Sequence, residues 1–268
     1  MMDPTTLDRF REIVYTASGI ALSPKKEALV CARVGKRVRA LGLSSYEQYL
    51  DVLAEDTTGS EIVQLMDAVC TNVTSFFRDA DQFDFMVEMM ERWLEAGQTR
   101  FRFWSAASST GEEPYSLAIA LLEAAKGHVT DTKILATDLS TSALARCAEG
   151  LYEARRIETV PADLLARYFK REKHDDEVYY RVRPELRRMV VVRRMNLSTP
   201  PFPMRGPLDA VFCRNVMIYF DNPVRLRLLE DVQRLLKPGG YLFVGHAESL
   251  TGIVSSLKYV RPAIYVRN

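Results

Sequence analysis

Several residue types are scarce in this 268-residue chain, and each scarcity removes a class of function. There are four cysteines, Cys31, Cys70, Cys147 and Cys213, with no C-x-x-C among them, and three widely separated histidines, His128, His174 and His246. That spacing supports neither a zinc site nor a disulfide framework, so no metal is expected and the thiols read as free and buried. Long apolar runs are missing too. The longest, around 117–125, is far short of the ~20 residues that cross a bilayer. The opening Met1-Met2-Asp3-Pro4 lacks the basic and apolar regions of a signal peptide, so a cytoplasmic protein without membrane insertion is expected. Charge of one sign is equally lacking: the net charge is +1, which makes no global case for nucleic acid or a membrane surface, and any basic patch must be local. What remains is an ordinary soluble composition, 47% hydrophobic and 26% charged, with room for one large or two moderate domains.

Residues 3 to about 70 read as helices only, over 5–18, 24–41, 45–55 and 59–69, with Ser, Thr or Gly near each start. In the second of these Val30, Cys31, Val34, Val38 and Leu41 form one stripe, while Lys25, Lys26, Arg33, Lys36 and Arg37 gather opposite, with Glu27 the only acid. Such a face is either a solvated surface or a site for an acidic partner, a protein helix or a nucleic acid. A polar loop follows, Cys70-Thr71-Asn72-Val73-Thr74-Ser75-Phe76-Phe77-Arg78-Asp79, leading into a helix over 80–95. Asn72, Thr74 and Ser75 suit turns and caps, and Arg78 suits an ion pair at a domain boundary.

From Phe101 the pattern becomes strand, loop, helix, repeated. Phe101-Arg102-Phe103-Trp104 alternates as a strand, and the small-residue loop Ser105-Ala106-Ala107-Ser108-Ser109-Thr110-Gly111 leads into a helix that opens with Glu112 and Glu113. In open α/β sheets this first crossover is where nucleotide-like cofactors sit, and small side chains let them approach the backbone. Two carboxylates in the first turn repel a pyrophosphate and attract an ammonium or sulfonium, so S-adenosylmethionine fits better than a dinucleotide. One of the two glutamates is expected to be only a partner of the helix dipole. A second strand over 133–137 delivers Asp138, 25 residues after Glu113, placed to accept hydrogen bonds from ribose hydroxyls or, alternatively, to cap the helix over 140–149.

A helix over 161–168, a charged turn over 170–177 and strands over 178–182 and 189–192 read as a small antiparallel excursion whose last strand returns to the main sheet. Asn196-Leu197 would then lie at a strand's carboxyl end, facing an adenine, or else in a turn before Pro200-Pro201. The strand over 208–213 ends in Arg214-Asn215-Val216-Met217-Ile218-Tyr219-Phe220. A helix over 223–236 is stopped by Lys237-Pro238-Gly239-Gly240, a strand covers 241–245, and 259–267 reads as a final edge strand.

On the motifs Asn72-Val73-Thr74-Ser75-Phe76-Phe77-Arg78, Trp104 to Ser116, Thr137-Asp138-Leu139-Ser140 and Phe212 to Phe220, the chain resembles the CheR family of chemotaxis receptor methyltransferases over almost its whole length. The resemblance implies an α/β fold, a Rossmann-like class I methyltransferase sheet over 73–268, with an all-α receptor-recognition domain over 1–72 and a small antiparallel β-subdomain at about 168–195. It implies methyl transfer from S-adenosylmethionine to receptor glutamates, giving glutamyl methyl esters and S-adenosylhomocysteine. Carried over by position, the cofactor contacts fall on Asn72, Thr74, Arg78, Glu113 (the methionine ammonium), Asp138 (the ribose), Asn196 with Leu197 (the adenine), Arg214 and Asn215. Arg78 and Tyr219 are the candidates beside the transferring methyl. The basic helix over 25–39 matches the family's face for the receptor's cytoplasmic helical bundle. Members that tether to a receptor tail carry a glycine-rich turn in the β-subdomain; 169–176 has none, which puts tethering in doubt here. A monomer that binds no nucleic acid is expected.

Overall fold

The computed structural model describes residues 2–22, 27–250 and 256–268. Four helices come first: α1 (Pro4–Ser18), α2 (Glu27–Ala40), α3 (Tyr46–Glu55) and α4 (Ser60–Val69). Asp3 caps α1 by accepting the Thr5 and Thr6 amides, and Ser45 caps α3 through the Gln48 amide. Their apolar faces close on Phe10, Val14, Val34, Tyr49, Leu50 and Leu65, all buried. The expected start of α2 at Pro24, with Lys25 and Lys26, lies outside the described residues.

The chain continues through α5 (Ala80–Glu95), β1 (Arg100–Ser105), α6 (Glu112–Ala125), β2 (Asp131–Asp138), α7 (Thr141–Glu149), β3 (Leu151–Glu153), α8 (Ala162–Tyr168), β4 (Phe169–His174), β5 (Glu177–Val182), α9 (Pro184–Arg187), β6 (Val190–Arg194), β7 (Leu208–Phe212), α10 (Asn222–Leu235), β8 (Leu236–Phe243), β9 (Leu257–Arg261) and β10 (Ile264–Arg267). Seven strands form one sheet in the order β6-β2-β1-β7-β8-β10-β9. The first five run parallel and β10 runs antiparallel to both its neighbours.

Alternation along β1 explains the two cores. Phe101 and Phe103 join the core shared with α5 and α6, and Trp104 joins the one shared with α10. The strand order reverses at β1, which has β2 on one side and β7 on the other, so a crevice opens at the carboxyl ends of these strands. This is an open, Rossmann-like α/β sheet carrying an all-α layer and a small antiparallel sheet, the architecture expected from the sequence. Among the described residues no helix is long and apolar enough to cross a membrane.

Three local expectations need correction. The small sheet has the order β3-β5-β4 and so begins at Leu151, before the expected start near 168, whereas the excursion's last strand, β6, pairs with β2 in the main sheet as expected. Three residues of β3 are too few to show a period. The expected charged turn over 170–177 is mostly β4: its polar side chains carry no alternation, but cross-strand pairs such as Arg181 with Glu172 (2.9 Å) hold it to β5. At the carboxyl end, β8 runs straight through Pro238-Gly239-Gly240 with an irregular register against β7, and the expected single last strand is a hairpin of β9 and β10 turning at Pro262-Ala263, with β9 at the edge.

The helical layer is fastened to the sheet by polar contacts. Asp67 on α4 accepts from the Thr141 amide (2.7 Å), the Thr141 hydroxyl (2.7 Å) and the Ser142 amide (3.1 Å), while Ser140 caps the same helix through the Ala143 amide. Two otherwise unsatisfied amides of α7 are thus met by a carboxylate from another layer. Ala21 N–H donates to the Tyr219 carbonyl (2.8 Å), and Tyr15 donates to Asp221 (2.6 Å). Asp67→Ala is expected to cost about 1–2 kcal/mol, the loss of a cap with its second hydrogen bond. Thermal unfolding checks this, and Asp67→Asn should recover part of it.

Candidate cofactor and active site

The crevice at the ends of β1, β2 and β7 holds a pocket with about 1140 Å³ of open space, its mouth included, room for a nucleoside-sized ligand. Asn72, Thr74, Arg78, Glu113, Asp138, Asn196, Leu197, Arg214, Asn215 and Tyr219 all line it. These positions are scattered over about 150 residues of sequence, and the fold brings every one of them to the same wall.

Asp138 ends β2. Its two carboxylate oxygens accept one amide each, Ser109 N–H (2.8 Å) and Ser140 N–H (2.9 Å), so each keeps a further acceptor position, as the two hydroxyls of a ribose require. Burial raises its pKa and those amides pull it back. The helix cap itself is Ser140, so the capping alternative for Asp138 reduces to an amide contact beside the cap.

The two glutamates separate cleanly. Glu112 is fully buried, paired with Arg156 (2.9 Å) and accepting from the Thr110 hydroxyl (2.6 Å); it does not line the pocket. Glu113 does. It accepts from the Ser105 hydroxyl (2.7 Å) and from Arg214 (3.3 Å), again with acceptor positions to spare for an ammonium group. Burial pushes the Glu113 carboxyl above its ordinary 4.5, and the Arg214 charge and the Ser105 hydrogen bond oppose the rise. Gly111 makes the turn before α6 at φ +102°, where a Cβ would meet the Tyr152 hydroxyl at 2.6 Å and the Cys147 sulfur at 2.9 Å.

Arg214 is buried, with its side chain 2% exposed. One guanidinium nitrogen reaches Glu113, and the other donates to the Arg78 carbonyl (2.5 Å) and to Asp79 (2.7 Å). Its terminal nitrogens are therefore turned on the protein, while its buried Nε has no hydrogen-bond partner among the described residues, and the side chain serves the pocket by tying the 72–79 loop to the start of α6. Asn215 adopts the left-handed region (φ 56°), its N–H donating to Glu248 (2.8 Å). Glu248 also accepts from Gly245 N–H (2.6 Å) and Ile218 N–H (3.1 Å), which shapes the turn that carries Tyr219. Gly245 leaves room there, because a Cβ would lie 2.4 Å from the Asn215 side-chain nitrogen and 2.8 Å from a Glu248 carboxylate oxygen.

Arg78 is exposed at the rim, and its one side-chain contact among the described residues is the Val73 carbonyl at 3.3 Å. Asn196 departs from expectation: its oxygen accepts from the Ser198 amide and hydroxyl and its nitrogen donates to the Ala17 carbonyl (3.0 Å), leaving a single N–H for a ligand. Of the basic face on α2, Arg37 makes a two-point pair with Glu61 and Arg33 binds the carbonyls of Val69 and Cys70, so Lys36 and Arg39 are the exposed cations among the described residues of that helix. Periodicity placed these arginines on one side but carried no sign of Glu61, which comes from a different helix.

Sequence reasoning missed Ser105, Asp79, Glu248 and the helical wall of the pocket formed by Ser18, Ile20, Leu22, Val69 and Cys70. Gly-x-x-Glu after a strand was the one available signal for Glu248, and it is weak. Burial and the nearby Asp138 carboxylate push the Cys70 thiol up to about 12, which keeps it protonated at neutral pH and so not a nucleophile. Glu248→Ala strands three amides, that of Gly245 buried and those of Asn215 and Ile218 partly so, and is expected to destabilise the chain by about 1–3 kcal/mol. Denaturant unfolding measures this, with Glu248→Gln intermediate because its amide retains one acceptor oxygen.

Comparison with known proteins agrees with this architecture. Residues 5–70 match the CheR methyltransferase all-alpha domain, and residues 72–266 match the CheR methyltransferase SAM binding domain. Chemotaxis protein methyltransferase 2 of Pseudomonas aeruginosa is 40% identical, covering 95% of this chain and 90% of that one. The chemotaxis protein methyltransferases of Borreliella burgdorferi and Salmonella typhimurium are 36% and 37% identical, covering 98% and 96% of this chain and 94% and 88% of theirs. With both domain matches spanning the helical layer and the sheet that share the pocket, the chain belongs to the CheR methyltransferase family.

Proposed function

We propose that the chain methylates glutamate side chains on the cytoplasmic helical bundle of chemotaxis receptors, producing glutamyl methyl esters and S-adenosylhomocysteine, and that it does so as a cytoplasmic monomer. The observation that carries the reading is the convergence of Glu113 and Asp138, each with unfilled acceptor positions, on one pocket at the sheet's switch point. Bound there, S-adenosylmethionine supplies an electrophilic methyl on a sulfonium. Asp138 would hold the ribose hydroxyls, Glu113 the ammonium, and Leu197 with the remaining Asn196 N–H the adenine; Asn72, Thr74 and the Asn215 corner close the walls.

A substrate glutamate, with an ordinary pKa near ~4.3, is ionised at neutral pH and needs no general base. The protein's task is alignment, which supplies roughly 7–11 kcal/mol where an attacking atom is held in line. Arg78, with donors unfilled at the rim, is suited to orient the incoming carboxylate, and Tyr219 lines the same pocket. An oxygen–carbon bond forms as the carbon–sulfur bond breaks, and no proton moves. The exposed Lys36 and Arg39 on α2 favour an acidic substrate helix.

Transfer of tritium from labelled cofactor into base-labile receptor esters tests the reading; label in RNA, or none in either, sinks it. Asp138→Ala should weaken cofactor binding about 10- to 100-fold, by calorimetry, for the loss of two charge-assisted hydrogen bonds. Arg78→Ala should lower turnover about 100-fold while cofactor affinity changes little. Because ammonium binding needs Glu113 ionised and its pKa is raised, cofactor affinity should fall on acidification before pH reaches the ordinary 4.5, and Glu113→Gln should flatten that dependence.

A further inference from the structure

Charge is nearly balanced over the whole chain, yet residues 181–194 hold six arginines and one acid, Glu185. Arg183, Arg187, Arg188, Arg193 and Arg194 are all exposed, and among the described residues none of the five forms an ion pair. Some exposed arginines elsewhere find carboxylates, as Arg92 does with Glu88 and Arg167 with Glu123 and Asp163. A solvated surface ordinarily mixes signs in that way. This strip does not, and none of the contacts described above makes use of it.

The strip surrounds β6, an edge of the main sheet. Ile134 N–H donates to the Met189 carbonyl and Met195 N–H to the Asp138 carbonyl, which sets the ladder with β2 so that Val190, Val192 and Arg194 turn their amides to the open side. Arg193 covers the Val192 carbonyl, but the three amides have no partner among the described residues. A shallow groove runs alongside, lined by Arg187, Arg188, Val190, Val191, Val192 and Arg193. An edge that offers free amides beside unpaired guanidinium groups has the two components of strand addition: backbone pairing and charge complementarity.

We propose that the free edge of β6 and the arginines flanking it bind an extended acidic polypeptide segment as an added strand. The chemistry favours such a segment over the other polyanions. Base stacking needs exposed aromatic faces, and the one aromatic residue of the groove, Tyr115, is buried. Insertion into a lipid interface needs several large exposed apolar side chains, and among the groove's lining residues only Val191, at 37%, is a large apolar residue that is exposed. The site lies on the sheet edge rather than on the basic face of α2, so it goes beyond the proposed methyl transfer and does not require it.

The test uses the full chain and a short fluorescein-labelled peptide that alternates glutamate and valine, read by fluorescence anisotropy at low salt. Arg188→Glu combined with Arg193→Glu should weaken binding at least ~10-fold, with melting temperature and cofactor affinity unchanged. Peptides N-methylated at alternate residues separate backbone pairing from charge: one phase should lose at least ~10-fold and the other should bind as the parent does. Equal binding of both phases, indifference to the charge reversal, or tighter binding of single-stranded RNA or of phosphatidylglycerol vesicles than of the peptide each overturns the proposal. The N-methylated pair needs no protein variant, so the inference stays testable even if the charge reversal disturbs folding.

Discussion

The buried guanidinium of Arg214 is the constraint on which the pocket depends. A cation taken out of water is costly unless it is paired and hydrogen-bonded, and here Glu113, Asp79 and the Arg78 carbonyl meet that need at its two terminal nitrogens, its Nε alone having no hydrogen-bond partner among the described residues. Satisfying it draws three segments to one point: the corner after β7, the first turn of α6, and the loop that enters α5. Glu113 is thereby fixed at the end of β1, and Arg78 is held by its backbone while its side chain stays at the rim. A buried cation thus fixes an anion that lines the pocket.

The same logic recurs at smaller scale. Glu248 gathers three amides around the corner that bears Asn215 and Tyr219, and Asp67 gathers three donors at the head of α7. In each case a carboxylate is met by backbone N–H groups of a turn or helix start, where partial positive charge accumulates. Apolar packing builds the layers, but these polar junctions set where one layer stops relative to the next.

Much of the sheet was legible because its strands announce themselves. Phe101 to Trp104 alternates, the valines of β6 form a short continuous run, and Asp138 falls at a strand end. The pocket's chemistry was legible as far as it depended on residue type near such ends. What escaped was pairing across long separations. Nothing local marks Glu61 as the partner of Arg37, Asp79 as the partner of Arg214, or Ser198 as the group that occupies the Asn196 oxygen. Leu151–Glu153 spans less than two periods of strand alternation, and β4 is polar on both faces, so neither shows a pattern before its neighbour is in place.

The helical layer's share of the pocket wall carries a consequence for how recognition and cofactor retention relate. Arg33 rises from the same helix that presents Lys36 and Arg39 to solvent, and it grips the carbonyls of Val69 and Cys70, which border the cavity. A mechanical link of one side chain therefore runs from the outward face of α2 to the rim of the ligand chamber.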